Sequence, residues 1–91
     1  MTEQSRSEQP QQANDVRLMI EEIAKSLVDT PDQVIVDQYE DGGEIVVELE
    51  VAETDLGKII GRHGRTAKAL RTLLSATGAR TNTRYDLEIL E

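Results

Sequence analysis

The amino-acid sequence predicts one small α+β domain with the element order α-β-β-α-α-β, in which a three-stranded mixed sheet carries helices on one face. Two segments place apolar residues at helical spacing, and three others are rich in β-branched residues or alternate as strands do. A long helical segment separates the second strand from the third. The chain has 91 residues, a length typical of one domain with a thin core.

The first predicted helix covers residues 15–28. Asn14 or Asp15 can cap its start, and Pro31 lies just beyond its end. Residues 1–14 contain almost no apolar side chains and cannot bury enough surface to offset the entropy of ordering, so we expect a disordered tail there. Within the helix, the apolar residues that share one face are Val16, Met19, Ile20, Ile23, Ala24 and Leu27.

Three segments are predicted to be strands: residues 33–39, 44–51 and 84–90. In the second, apolar residues alternate with mostly acidic ones, which indicates a strand with one face open to solvent. Residues 41–43 (DGG) separate the first two strands and are typical of a hairpin turn, so this pair should be antiparallel.

Two helices are predicted between the second and third strands. The first covers residues 53–60, with Thr54 or Asp55 near its start and Gly61 at its end. A connection of this length favours a parallel pairing of the two strands it joins and a right-handed crossover.

The last predicted helix starts after Gly64 and runs to about Thr77, with Gly78 as its stop. One arc of it is expected to face the core: Ala67, Leu70, Leu73, Leu74 and Thr77. The opposite arc is basic and free to meet a partner: Arg65, Lys68 and Arg71.

Charge is distributed unevenly along the chain. The net charge of −8 argues at first against a nucleic-acid binder. However, residues 1–55 hold three basic and fifteen acidic side chains, residues 56–84 hold seven basic and no acidic ones, and residues 85–91 hold three acidic ones. An acidic body therefore carries one basic block.

The basic block contains a glycine loop, IIGRHGR at residues 59–65. Glycines let a bulky group approach the backbone, and the helix that follows offers free N–H donors and the positive end of its dipole. By itself Gly-x-x-Gly is common as a turn between helices. In this basic context it predicts a clamp for a sugar-phosphate backbone.

The composition argues against an enzyme. The chain has no cysteine, one histidine, no metal-ligand spacing and no phosphate-binding loop of the nucleotide hydrolases, so we expect no cofactor, metal or small-molecule substrate. No apolar run approaches the ~18 residues of a membrane span, and the N-terminus lacks a signal sequence, so we expect a cytoplasmic protein. The only aromatic residues are Tyr39 and Tyr85, which argues against binding through stacked aromatics.

The stretch GKIIGRHGR at residues 57–65 resembles the I-G-x-x-G signature of KH domains, which clamp single-stranded RNA or DNA. The element order resembles their type II arrangement. Together with the small size, the stretches IAKSLV at 23–28 and GRTAKALR at 64–71 resemble the bacterial KhpA family, whose members are little more than one KH domain. The KH domain would cover residues 15–91. Ala67 departs from the large aliphatic residue of many KH domains, which implies a shallower groove or one filled by Leu70.

The resemblance implies that the loop binds about four nucleotides of single-stranded RNA. Arg62 and His63 would hold phosphates. A groove floored by Ile59, Ile60 and Leu70 would take the bases. Because histidine changes charge near neutral pH, affinity should fall as pH rises through about 6–7. The predicted RNA-binding residues are Lys58, Ile59, Ile60, Gly61, Arg62, His63, Gly64, Arg65 and Lys68.

The resemblance also implies protein partners: a second copy of the chain, and a second KH protein of the KhpB (Jag) family. It implies a role as a post-transcriptional regulator or RNA chaperone linked to cell elongation and division. The alternative is a dimerisation or adaptor module with weak or no RNA binding. A stripe of small residues on the last helix suits such a contact, or simply more core: Ala69, Leu73 and Ala76.

Overall fold

Helices and strands follow one another in the predicted order. The structure is a computed structural model that describes residues 11–91, so most of the predicted tail, residues 1–10, lies outside the described residues. The elements are α1 (Gln11–Leu27), β1 (Ile35–Asp41), β2 (Glu44–Glu50), α2 (Leu56–Ile60), α3 (Arg65–Thr81) and β3 (Arg84–Ile89). The predicted α+β class is confirmed.

The three strands form one mixed sheet in the order β1-β2-β3. Strands β1 and β2 pair antiparallel, with Asp41 opposite Glu44, and β2 and β3 pair parallel. The hairpin turn consists of Gly42 and Gly43, with φ of +60° and +86°. Positive φ at both turn positions matches the twist of the strands and is accessible to glycine at little cost.

The core lies on one face of the sheet, which the helices cover. Strand residues of that face include Val36, Val47, Leu49 and Leu87, and the helices contribute Val16, Ile20, Ala24, Ile59, Leu70 and Leu74. Two residues predicted to be core are not: Leu27 ends α1 and Leu73 lies on the outer side of α3, each 39% exposed. Gly78 is buried on the inner side of α3 instead.

Several element boundaries differ from the prediction. Helix α1 already includes residues 11–14, so Asn14 and Asp15 lie inside it and do not cap it. Strand β1 begins two residues late because Pro31–Gln33 forms a 3₁₀ turn. The helix predicted over 53–60 is a 3₁₀ turn at Glu53–Asp55 followed by α2.

Gly78 does not stop α3, which continues for three more residues to Thr81. A Cβ at Gly78 would collide with the carbonyl oxygen of Thr83 and lie 3.1 Å from Cδ2 of Tyr85. The helix ends instead at Asn82, which has φ of 57°. Gly78 is therefore required for the close approach of the chain that enters β3, and this packing sets the position of α3 on the sheet.

Candidate nucleic-acid interface

Helix α2 carries the glycine loop and is held by its apolar side. Ile59 is 0% exposed and belongs to the hydrophobic core, so it anchors the five-residue helix from below. The helix ends where the backbone N–H of Gly61 donates to the carbonyl of Gly57 over 2.8 Å. The loop therefore starts two residues after a side chain that is fixed in the core.

Gly61 has a backbone conformation that other residues rarely adopt, with φ 79° and ψ 169°. A Cβ at this position would collide with Oγ1 of Thr66 and lie 2.8 Å from its backbone nitrogen. Glycine is therefore required at this position for two reasons: its dihedral angles are rare for other residues, and the first turn of α3 leaves no space for a side chain.

The second half of the loop turns left-handed before the helix begins. His63 has φ 56° and ψ 25°, Gly64 has φ 73° and ψ 14°, and the N–H of Gly64 donates to the carbonyl of Gly61 over 3.0 Å. A Cβ at Gly64 would meet no atom within 4 Å. The backbone is thus open to an approaching group at Gly64, while Gly61 is closed by Thr66.

The exposed basic side chains around this loop have no anionic partner among the described residues. Among the residues that the structure describes, no carboxylate forms an ion pair with Arg62, His63, Arg65 or Lys68, and all four are exposed. Elsewhere, Arg17 and Lys25 are paired with Glu21, and Arg84 with Glu44, whereas Arg71 and Arg80 form no ion pair with a described carboxylate. Because their charge is not compensated locally, the loop cations are available to an anionic ligand.

Lys58 differs from the other predicted RNA-binding cations. Its ammonium lies 3.3 Å from a carboxylate oxygen of Asp29 and 3.9 Å from one of Asp55, and its side chain is 45% exposed. These two carboxylates compensate its charge. The structure therefore ties Lys58 to the chain after α1 and not to the free cations of the loop.

Asp55 was not predicted as a site residue, yet it positions α2. It is 1% exposed, and its carboxylate accepts the backbone N–H groups of Asp29 at 3.2 Å and Thr30 at 3.0 Å. Its position before α2 predicts that the carboxylate caps this helix, but the carboxylate makes no capping hydrogen bond there. Its partners lie about 25 residues earlier in the chain, so no local pattern reveals this contact.

The apolar residues predicted as the groove floor are unequally accessible. Ile60 is half-buried, whereas Ile59 and Leu70 belong to the core. The free edge of β3 carries a further contact that the sequence did not indicate, because Nη2 of Arg71 donates to the carbonyl oxygen of Leu87 over 3.1 Å.

The face of the sheet that the helices leave uncovered is acidic. Tyr39 is the aromatic residue of this face, and partial burial together with the nearby carboxylates of Glu48 and Glu88 raises its pKa. A phosphate chain would be repelled there. The acidic residues of the outer face are Asp37, Asp41, Glu44, Glu48, Glu50, Asp86 and Glu88.

Two classes of feature are missing from residues 11–91. That part of the chain contains no group of three or more His, Cys, Asp or Glu side chains arranged to hold a metal ion. It also contains no helix with the length and hydropathy needed to cross a bilayer.

Comparisons with a family model and with known proteins point to the same family. Residues 17–89 match the family model described as KhpA/KhpB, KH domain. A relative from Borreliella burgdorferi, named RNA-binding protein KhpA, is 51% identical over 86% of this chain and 94% of its own length. Relatives of the same name from Treponema pallidum and Clostridium acetobutylicum are 49% and 45% identical, over 80% and 82% of this chain and 91% and 100% of their own.

No solved structure matched the chain. The family model nevertheless spans the sheet, all three helices from residue 17 onward and the glycine loop. The chain therefore belongs to the KhpA/KhpB family of KH domains.

Proposed function

We propose that this protein binds single-stranded RNA through the loop at residues 61–64 and the first turns of α3. The observation that carries the proposal is the set of four exposed cationic or titratable side chains around an open backbone, none of them paired with a carboxylate of residues 11–91. The relatives' name, RNA-binding protein KhpA, supports the choice of RNA.

The proposed mechanism separates phosphates from bases. Arg62 and His63 hold phosphates at the loop, and Arg65 and Lys68 extend the attraction along α3. Bases turn away from the loop toward Ile60 and the edge of β3, because unstacked bases of a single strand are free to splay into a groove. Ile59 supports α2 from the core, and Lys58 is tied to the carboxylates of Asp29 and Asp55.

We further propose that the protein acts in the cytoplasm as a small post-transcriptional regulator or RNA chaperone, with a link to cell elongation and division. A single binding site of about four nucleotides is small, so a second copy or a second KH protein of the KhpB type would raise affinity by linking two sites. Each such partner would add a second glycine loop to the one in this chain.

The test of RNA binding is a charge reversal with a matched control. Arg62→Asp and Arg80→Asp change the net charge equally, but Arg80 lies fifteen residues beyond Arg65, about 22 Å along α3. Loss of one charge-assisted contact predicts about a 10- to 100-fold weaker complex for Arg62→Asp with a short unstructured RNA. Arg80→Asp should retain most of the affinity.

Binding is measured by fluorescence anisotropy, with thermal unfolding as the check on folding. The double variant Arg62→Asp, His63→Asp should lose more affinity and keep the fold. With two to four phosphate contacts, the parent should show a log–log salt slope of about −1.5 to −3. If the double variant binds RNA as the parent does, the loop is not the clamp.

One observation favours self-association as a second function. Leu73 is 39% exposed on α3, and Ala69 and Ala76 beside it are exposed too. Small residues flanking a leucine allow close helix approach, so this stripe suits a dimer contact. The parent should then sediment as a dimer and Leu73→Glu as a monomer. If the parent itself sediments as a monomer, the stripe is not a dimer contact.

A further inference from the structure

Strand β1 is a free edge of the sheet, because in the order β1-β2-β3 it pairs with β2 and with no other strand of the described chain. Leu49, the residue of β2 opposite Val36, accepts the N–H of Leu90 on the β3 side over 2.9 Å, so Val36 and Leu49 form a pair without mutual hydrogen bonds. In such a pair the N–H and C=O groups point away from each other. The direction alternates along the strand, so the backbone groups of Val36, Gln38 and Glu40 point to the open edge.

Strand β1 lacks most of the features that protect an edge strand. Proteins blunt free edges with lysine, proline, β-bulges or a covering element. Strand β1 is seven residues long, contains neither lysine nor proline, and pairs with β2 in an uninterrupted one-to-one register, so no bulge twists it away. The opposite edge of the sheet differs, since Arg71 donates to the carbonyl of Leu87 in β3. The backbone of β1 is therefore able to accept a further strand.

The side chains of β1 on the outer face indicate which strand would fit. Ile35 and Tyr39 are 51% and 45% exposed, and Asp37 and Asp41 between and beyond them are exposed and form no ion pair with a described cation. A second copy of β1 would bring like charges together, which disfavours that pairing. A strand with cations at alternate positions would place them beside the unpaired carboxylates and near the ring of Tyr39.

We propose that β1 is a docking edge for a lysine- or arginine-rich extended segment of another protein, which adds to the sheet as a fourth strand. Hydrogen bonds to the backbone of Val36, Gln38 and Glu40 supply the affinity, and basic side chains at every second position supply the selectivity. This inference does not depend on RNA binding, because it uses neither the glycine loop nor its cations.

A purely protective role of the carboxylates is the competing explanation. Charged side chains on an edge strand also keep copies of the protein from pairing with one another. Such a role leaves the edge without any ligand, basic or not. The two explanations therefore differ in whether a basic strand binds.

The probe is a blocked octapeptide of alternating lysine and threonine, labelled for fluorescence anisotropy, and a glutamate–threonine octapeptide is its control. The lysine peptide should bind the parent and the glutamate peptide should not. Binding should slow hydrogen exchange at the amides of Val36, Gln38 and Glu40, since these groups become hydrogen-bonded. Alternate N–H groups of the peptide point to opposite sides. N-methylation of one set, all lysines or all threonines, should therefore abolish binding, and methylation of the other set should preserve it.

Two double variants separate the edge from the rest of the acidic face. Asp37→Asn with Asp41→Asn should weaken binding of the lysine peptide about 3- to 30-fold, the range of two cross-strand charge pairs. Asp86→Asn with Glu88→Gln removes the same charge from the same face, two strands or about 10 Å away. This control should change the affinity less than about twofold at physiological salt, and circular dichroism checks that both variants fold.

Three results would overturn the proposal. Equal losses in the two double variants, or equal effects of the two N-methylated peptides, would mean that charge alone attracts the peptide. A lysine peptide that leaves exchange at the three edge amides unchanged would mean that no strand is added. Protection of these amides in the protein alone, increasing with protein concentration, would mean that a second copy occupies the edge. None of these measurements involves RNA, so the proposed RNA binding and this docking edge stand or fall separately.

Discussion

The glycine loop and the outer face of the sheet are opposite in charge: basic side chains surround the loop, and carboxylates cover the outer face. Around the loop, Arg62, Arg65 and Lys68 are exposed and unpaired among the described residues. On the outer face, seven carboxylates share the surface with Tyr39, and Arg84, the one cation of that face among the described residues, is paired with Glu44 at 3.6 Å. The net charge of −8 therefore conceals a basic region around the loop, and local pairing is the better guide to the proposed site.

The same contrast exists between the two glycines of the loop. Gly61 is enclosed by Thr66, whereas Gly64 borders open space. The first glycine thus shapes the loop, and the second leaves its surface accessible. Both have positive φ, so both substitutions strain the backbone, but only one also causes a collision.

The largest expected effect separates these two glycines. Gly61→Ala should lower the free energy of unfolding by about 2–4 kcal/mol, because a rare conformation and an overpacked contact add. Gly64→Ala should cost only about 1–2 kcal/mol, the strain of a left-handed residue. Urea unfolding monitored by circular dichroism measures both. Equal losses for the two variants would mean that Thr66 moves aside and that Gly61 is not enclosed.

The sequence predicted the loop well because its determinants are local. Two glycines three residues apart, an apolar pair before them and the basic residues of the helix after them lie within residues 59–71. The sheet order was also predictable, since a DGG turn and a long crossover leave few topologies open. Each of these features depends on neighbours in the chain.

What the sequence did not predict depends on contacts between distant residues. Asp55 binds the backbone of Asp29 and Thr30, and Arg71 binds Leu87. Glycine is typical of a helix stop, but Gly78 is required inside the helix because the backbone of Thr83 packs against it. Spacing reveals which face of an element a residue occupies, not which remote group meets it there.

A smaller effect should distinguish a paired lysine from an unpaired one. Lys68→Gln should weaken RNA binding about three- to tenfold and reduce the magnitude of the salt slope by about 0.7, because one phosphate contact is lost. Lys58→Gln should leave the slope unchanged and lower the free energy of unfolding by about 0.2–1 kcal/mol, as its partners Asp29 and Asp55 lose their cation.

Anisotropy titrations from 50 to about 300 mM salt measure the slopes, and urea unfolding measures stability. Both variants remove one positive charge, so each is the control for the other. If Lys58→Gln reduces the slope as much as Lys68→Gln does, Lys58 leaves its carboxylate partners when RNA binds, and the difference between the two lysines disappears.

The smallest expected effect concerns the acidic face itself. Glu48→Gln with Asp41→Asn should change RNA affinity less than about twofold at physiological salt, because both carboxylates lie on the uncovered outer face and exposed charges farther away than about 8 Å are largely screened. The same double variant should lower the pKa of Tyr39, because both carboxylates disfavour its ionised form, though partial burial continues to hold that pKa above the usual value. An ultraviolet absorbance titration follows the phenolate, and Tyr39→Phe assigns the signal against Tyr85. A large gain in RNA affinity without these two carboxylates would place the nucleotide chain near the sheet face and remove the separation of the two regions.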